Sequence, residues 1–152
     1  MFLFICKANV GRSQIAEWFM KNLWINAISC ASFEARKNDY KNSPDFEISE
    51  ILKKEFWINI FSQNISYPDD IIDKINSVKK IVFFFDPKKK LKNPDKSVLI
   101  NWITFWDFLD KNKINYEIHE VKDPFEKGVK EKKRVIIEIC KMVRELKDEY
   151  GK

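Results

Sequence analysis

A chain of 152 residues is one domain's worth of polypeptide: long enough to bury a substantial core and short of what two ordinary domains need. Hydrophobic residues at 45% and charged residues at 34% exclude a disordered chain, and Cys6, Cys30 and Cys140 are too few and too far apart for a disulfide framework or a Cys-x-x-Cys zinc site, which implies a reducing, cytoplasmic compartment. The net charge of +5, with its local cluster at Lys88, Lys89, Lys90 and Lys92, reads as a solvated lysine-rich surface that attracts anions and not as a nucleic-acid interface.

Apolar runs alternate with amphipathic stretches from the first residue, the pattern of an α/β protein with a parallel sheet. Phe2 to Ile5 is a short buried strand, and Met1 to Cys6 is too short and lacks the basic leader of a signal peptide. After an Asn9-Val10-Gly11 turn, Ile15, Ala16, Phe19, Met20 and Leu23 share one face and predict a helix from about Arg12 to Leu23. Ala27 to Ser32 reads as a second strand. Ser43 as N-cap, Pro44 at the first helical position and the carboxylates of Asp45 and Glu47 open a helix that ends near Phe56. Ser66-Tyr67-Pro68-Asp69-Asp70 opens another, ending before Lys79. Ile81 to Phe85, aromatic and β-branched, is the third strand, and Val98 to Thr104 alternates into a fourth. Val135, Ile136, Ile139, Cys140, Val143 and Leu146 form the apolar stripe of a C-terminal helix, with Cys140 expected in the core. No run nears the roughly 18 apolar residues of a membrane span. No repeat or linker divides residues 1–152, which are expected to form a single domain.

Chemistry concentrates in Cys6-Lys7-Ala8-Asn9-Val10-Gly11-Arg12-Ser13. A cysteine at the end of a strand and an arginine at the start of the next helix frame a loop whose backbone N–H groups, with those of the helix terminus, can cradle a tetrahedral oxyanion. The positive end of the helix dipole favours a thiolate over a thiol at Cys6. Arg12 offers a planar fork to two phosphate oxygens, and the Ser13 hydroxyl is placed to donate to the Cys6 sulfur. Asn9 tolerates a left-handed backbone and can hold the loop's shape with its side chain, and Gly11 allows close approach of backbone to the anion. Attack on a phosphate monoester also needs a proton for the leaving oxygen. Two Asp-Pro pairs offer one, Asp86-Pro87 after the third strand and Asp123-Pro124 before the C-terminal helix.

The run from Phe4 through Cys6, Asn9, Arg12, Ser13, Gln14 and Ala16 to Glu17 resembles the signature of the low-molecular-weight protein tyrosine phosphatases and the related thioredoxin-coupled arsenate reductases. The Ser13-Gln14 pair leans towards the reductase branch. The resemblance implies a flavodoxin-like α/β fold of the phosphotyrosine protein phosphatase I type, a single four-stranded parallel sheet flanked by helices. It also implies Cys6 as nucleophile, Arg12 as transition-state clamp and Asp123 as general acid. Lys7, Ala8, Asn9, Val10, Gly11 and Ser13 would bind the oxyanion, and Phe125 would form one wall of the pocket. Arg36 and Tyr40 are candidates for the opposite wall, Asp86 becomes a loop-ordering residue, Asp107 and Asp110 turn residues, and His119 a surface or loop residue. Departures from the family pattern are Ala8 in place of a glycine, Gly11 in place of a second loop cysteine, and Glu126 in place of a second aromatic.

The implied activity is hydrolysis of phosphate monoesters, of a phosphotyrosine protein or a small aryl phosphate, through a phosphocysteine, with neither metal nor cofactor. Phosphate, sulfate and arsenate are the expected oxyanion ligands; a nucleic acid or a membrane is not an expected partner. Two other readings accompany it. One is arsenate reduction, which would need an external thiol because residues Phe85 to Lys96 contain no relay cysteines. The other is a non-catalytic oxyanion-binding module, which the pairing of Arg12 with Asp123 disfavours, since binding alone needs no proton donor.

Overall fold

The computed structural model describes residues 1–7, 9, 11–32, 45–60, 65–87, 99–100, 103–104, 109–122, 124 and 127–150. In chain order these form β1 (Phe2–Ile5), α1 (Arg12–Asn22), β2 (Ala27–Cys30), α2 (Phe46–Phe56), α3 (Pro68–Ile71) continued by a 3₁₀ turn (Ile72–Ser77), β3 (Lys80–Phe83), β4 (Leu99–Ile100), β5 (Ile103–Thr104), β6 (Asn115–Ile118) and α4 (Val129–Tyr150). The main sheet has the order β2-β1-β3-β6 and is parallel throughout, with Phe2 opposite both Ala27 and Lys80, and Lys80 opposite Asn115.

The alternation along β1 divides the core. Phe2 and Phe4 face one layer with Ile15, Ala16 and Met20 of α1, Ile48 and Leu52 of α2, and Val135, Ile139 and Val143 of α4. Leu3 and Ile5 face the other layer with Ile71, Ile75, Ile81, Phe83 and Leu109. A sheet covered on both faces leaves its strands continuously apolar, as β1 and the Ile81–Phe83 part of β3 are. β2 and β3 lie on opposite sides of β1, so the strand order reverses there, and the crevice at the C-terminal ends of β1 and β3 is where an open α/β sheet receives a ligand. Cys6 is the first residue beyond β1.

Three sequence expectations need correction. The fourth strand of the sheet is β6, not Val98 to Thr104, which instead contributes a two-stranded antiparallel hairpin from Leu99–Ile100 and Ile103–Thr104. β6 is an edge strand whose residues are exposed or half-buried, so it lacks the apolar signal of the interior strands. The N-cap of α2 is Asp45, whose carboxylate accepts the Ile48 N–H at 2.8 Å; Ser43 and Pro44 lie outside the described residues. Cys140 is half-buried, while Met142 takes the core position on α4. Lys132, buried in the first turn of α4, reaches Asp45 at 3.4 Å and joins the starts of the two helices.

Candidate active site

The loop after β1 is pinned on both sides. The Cys6 N–H donates to the Cys30 carbonyl at 3.4 Å, continuing the β1–β2 ladder, and the Ser32 N–H donates to the Lys7 carbonyl at 3.2 Å. Asn9 takes a left-handed backbone with φ 58°, which turns the chain back toward α1. Gly11 caps α1 and brings no side-chain oxygen to the positive end of the helix. Its backbone, with φ −146° and ψ −88°, falls in neither the extended nor the helical region. A Cβ there would stand 3.1 Å from Ile48 Cδ1, and the bare Cα lets α2 close on the loop.

Asn9 is the hub of the site. Its Nδ2 donates to Ser13 Oγ at 2.7 Å and to Ser29 Oγ at 2.9 Å, while its Oδ1 accepts from Gln14 Nε2 at 3.0 Å and from the Ser66 N–H at 2.8 Å. Ser13 Oγ in turn lies 3.0 Å from Cys6 Sγ. Because Asn9 Nδ2 can only donate, the Ser13 oxygen is already an acceptor, and its own proton is free to point at the sulfur.

Arg12 is buried, and its Nη1 donates to the carbonyls of Val121 at 2.7 Å and Phe84 at 3.3 Å. It therefore spans the end of β3 and the segment that follows β6. That segment stays against the end of β3, with the His119 N–H on the Phe83 carbonyl at 2.8 Å and the Val121 N–H on the Phe84 carbonyl at 3.3 Å. Pro124 is buried just beyond. Ala8, Val10, Asp123 and Phe125 lie outside the described residues, as do Arg36, Tyr40 and Asp107; Lys7 is exposed at the rim. Asp110, expected in a turn, lies instead in a helical stretch over residues 109–111; it is exposed, and its carbonyl accepts the Lys113 N–H at 3.3 Å. His119 is bonded to Glu117 at 3.0 Å, on the edge strand. Burial, then the charges of Cys6, Asp70 and Glu17, push the Cys30 thiol well up, so it stays protonated beneath the loop. Among the described residues no group of three His, Cys, Asp or Glu side chains could hold a metal ion.

The motif reading missed Gln14, Glu17 and Ser29 as a set. Their signal was polar residues at interior positions: Ser29 within a buried strand, and Gln14 and Glu17 three apart on the inner side of α1.

No protein-family model matches the sequence, and no curated protein matches it. Solved structures do. A low molecular weight protein tyrosine phosphatase from T. tengcongensis superimposes with a TM-score of 0.66 at 22% identity, covering 97% of each chain. The fold is that of the low-molecular-weight protein tyrosine phosphatases. The YwlE arginine phosphatase from Geobacillus stearothermophilus gives a TM-score of 0.67 at 17% identity, over 99% of this chain and 92% of its own. The arsenate reductase from Archaeoglobus fulgidus gives 0.66 at 17% identity, over 96% and 98%. Near-complete coverage in both directions means that the shared architecture extends from β1 to α4.

Proposed function

We propose that the chain is a cysteine-dependent phosphatase that hydrolyses phosphate monoesters through a phosphocysteine. The observation that carries this reading is the placement of the Ser13 hydroxyl 3.0 Å from Cys6 Sγ, backed by the fully engaged Asn9. A core cysteine with no chemistry to do has no need of a polar relay aimed at its sulfur. The Cys6 thiolate attacks phosphorus, the guanidinium of Arg12 and the loop amides take up the charge that builds on the equatorial oxygens, and Asp123 protonates the leaving oxygen. In the sequence Asp123 is two residues beyond Val121, whose carbonyl holds Arg12 at 2.7 Å, which supports the choice of Asp123 as the acid. The same carboxylate then draws a proton from the water that releases phosphate.

The structural neighbours named above act on phosphotyrosine, on phosphoarginine or on arsenate, and all three offer a tetrahedral oxyanion. An aryl phosphate is the substrate class favoured here, with Phe125 stacking on the leaving group. The test is hydrolysis of an aryl phosphate in the presence of a chelator. Wild-type protein turns over; Cys6→Ser does not; Asp123→Ala falls by about 10² to 10⁴ in kcat for a poor leaving group and by less for a good one. Hydrolysis that persists in Cys6→Ser ends the proposal.

A further inference from the structure

The relay behind Cys6 continues past Asn9. The Ser66 N–H can only donate, so the atom of Asn9 that faces it at 2.8 Å is the carbonyl oxygen, and the amide cannot turn over. Both Nδ2 protons are then committed to the hydroxyls of Ser13 and Ser29. Each hydroxyl, having accepted one hydrogen bond, has one proton to give. Ser29 gives its proton to Glu17 Oε2 at 2.5 Å, and Ser13 has Cys6 Sγ at 3.0 Å. The other Glu17 oxygen accepts from Lys21 at 2.6 Å.

We propose that Glu17 is a positioning residue for Cys6: as a carboxylate it takes the Ser29 proton, which fixes the Ser29 oxygen as acceptor for one Asn9 Nδ2 proton, leaves the other for Ser13 and keeps the Ser13 proton on the sulfur. The inference rests on the reading of Cys6 as a thiolate nucleophile. A glutamine at this position shows why the charge matters. Lys21 can only donate, so the glutamine would turn its oxygen to Lys21 and its NH₂ to Ser29. Ser29 would then accept from both sides through its two lone pairs and lose the acceptor of its own proton, and the buried unpaired donor would loosen its contact with Asn9. The charged and titratable groups around the relay are Arg12 and Lys21 on α1, Cys30 on β2 and Asp70 in α3. Burial, reinforced by neighbouring negative charge, keeps the Cys30 thiol protonated and unreactive at neutral pH.

The experiment is alkylation by iodoacetamide, read by peptide mass so that Cys6, Cys30 and Cys140 are counted separately. Near about pH 6, Glu17→Gln slows the reaction of Cys6 by about three- to tenfold; near about pH 10, above the ordinary range of a cysteine thiol, the two proteins agree within about twofold. Ser29→Ala, which cuts the same link from its other side and serves if the first variant fails to fold, shows the same pH shape. In a Ser13→Ala background, Glu17→Gln brings no further loss, because the relay has already been cut at its last step. Equal slowing at both pH values, no slowing in either single variant, or a further loss in the double variant overturns the proposal. Alkylation requires no turnover, so a normal pH response of Cys6 in a protein that hydrolyses no phosphate ester sinks the phosphatase reading and leaves this one standing.

Discussion

Asn9 shows how much of the site rests on a single side chain. It adopts the left-handed conformation that asparagine tolerates better than most residues, and all of its amide hydrogen-bonding capacity is used inside the protein. Replacing it with alanine leaves the Ser66 N–H and the Gln14 amide without their acceptor and two hydroxyls without their donor, in a place water reaches poorly. Asn9→Ala is expected to lower unfolding free energy by about 2 to 4 kcal/mol in urea titration, with a matching loss of activity. A loss under about 0.5 kcal/mol would mean that the contacts are reformed by other groups. The role of Asn9 was legible because loop, strand end and helix start are local features of the sequence. The partners Ser29 and Ser66 were not, since they come from β2 and from the segment before α3, and only the folded sheet brings them to the loop.

At the scale of elements, legibility followed burial. β1, β3, α1 and α4 carry apolar faces against the core and were readable within two or three residues at most of their ends, with α4 recognised by its stripe alone. β6 was missed because it is held by polar contacts on an edge. Glu117 on β6 accepts from Lys80 at the start of β3 and from Tyr150 at the end of α4, at 2.8 and 2.6 Å. Burial alone would raise Glu117, but hydrogen bonds from Lys80, Tyr150 and His119 and the Lys80 charge lower it from 4.5 to about 2. A carboxylate depressed in the folded state stabilises above its unfolded value, and the contribution fades as pH falls toward the folded one. Glu117→Gln is therefore expected to cost about 1 kcal/mol near neutral pH, after allowance for partial solvent screening, with the gap from wild type closing between about pH 5 and about pH 2. Urea midpoints measured across that range provide the check. Activity should not change, because Lys80 begins β3 whereas Cys6 follows the far end of its parallel neighbour β1.

For the whole molecule, the order β2-β1-β3-β6 explains why a motif read locally could point to a site built from distant segments. The reversal of strand order beside β1 sends the loops after β1 and β3 to one crevice, and Arg12 ties that crevice to Val121. The proposed substrate, a phosphate monoester, is a dianion, and the chain carries a net charge of +5. A positive field raises the local concentration of an anionic substrate without altering the chemical step, and salt shortens its reach to about 8 Å at physiological ionic strength. Raising sodium chloride from about 20 mM to about 300 mM is thus expected to lower kcat/KM for an aryl phosphate by about three- to tenfold while kcat moves by less than about twofold. Alkylation of Cys6 by iodoacetamide, an uncharged probe of the same sulfur, separates this effect from any influence of salt on the loop. If the field acts on the substrate, the alkylation rate stays flat across the same range; if both rates fall together, salt is loosening the site and the charge of the protein has no part in capture.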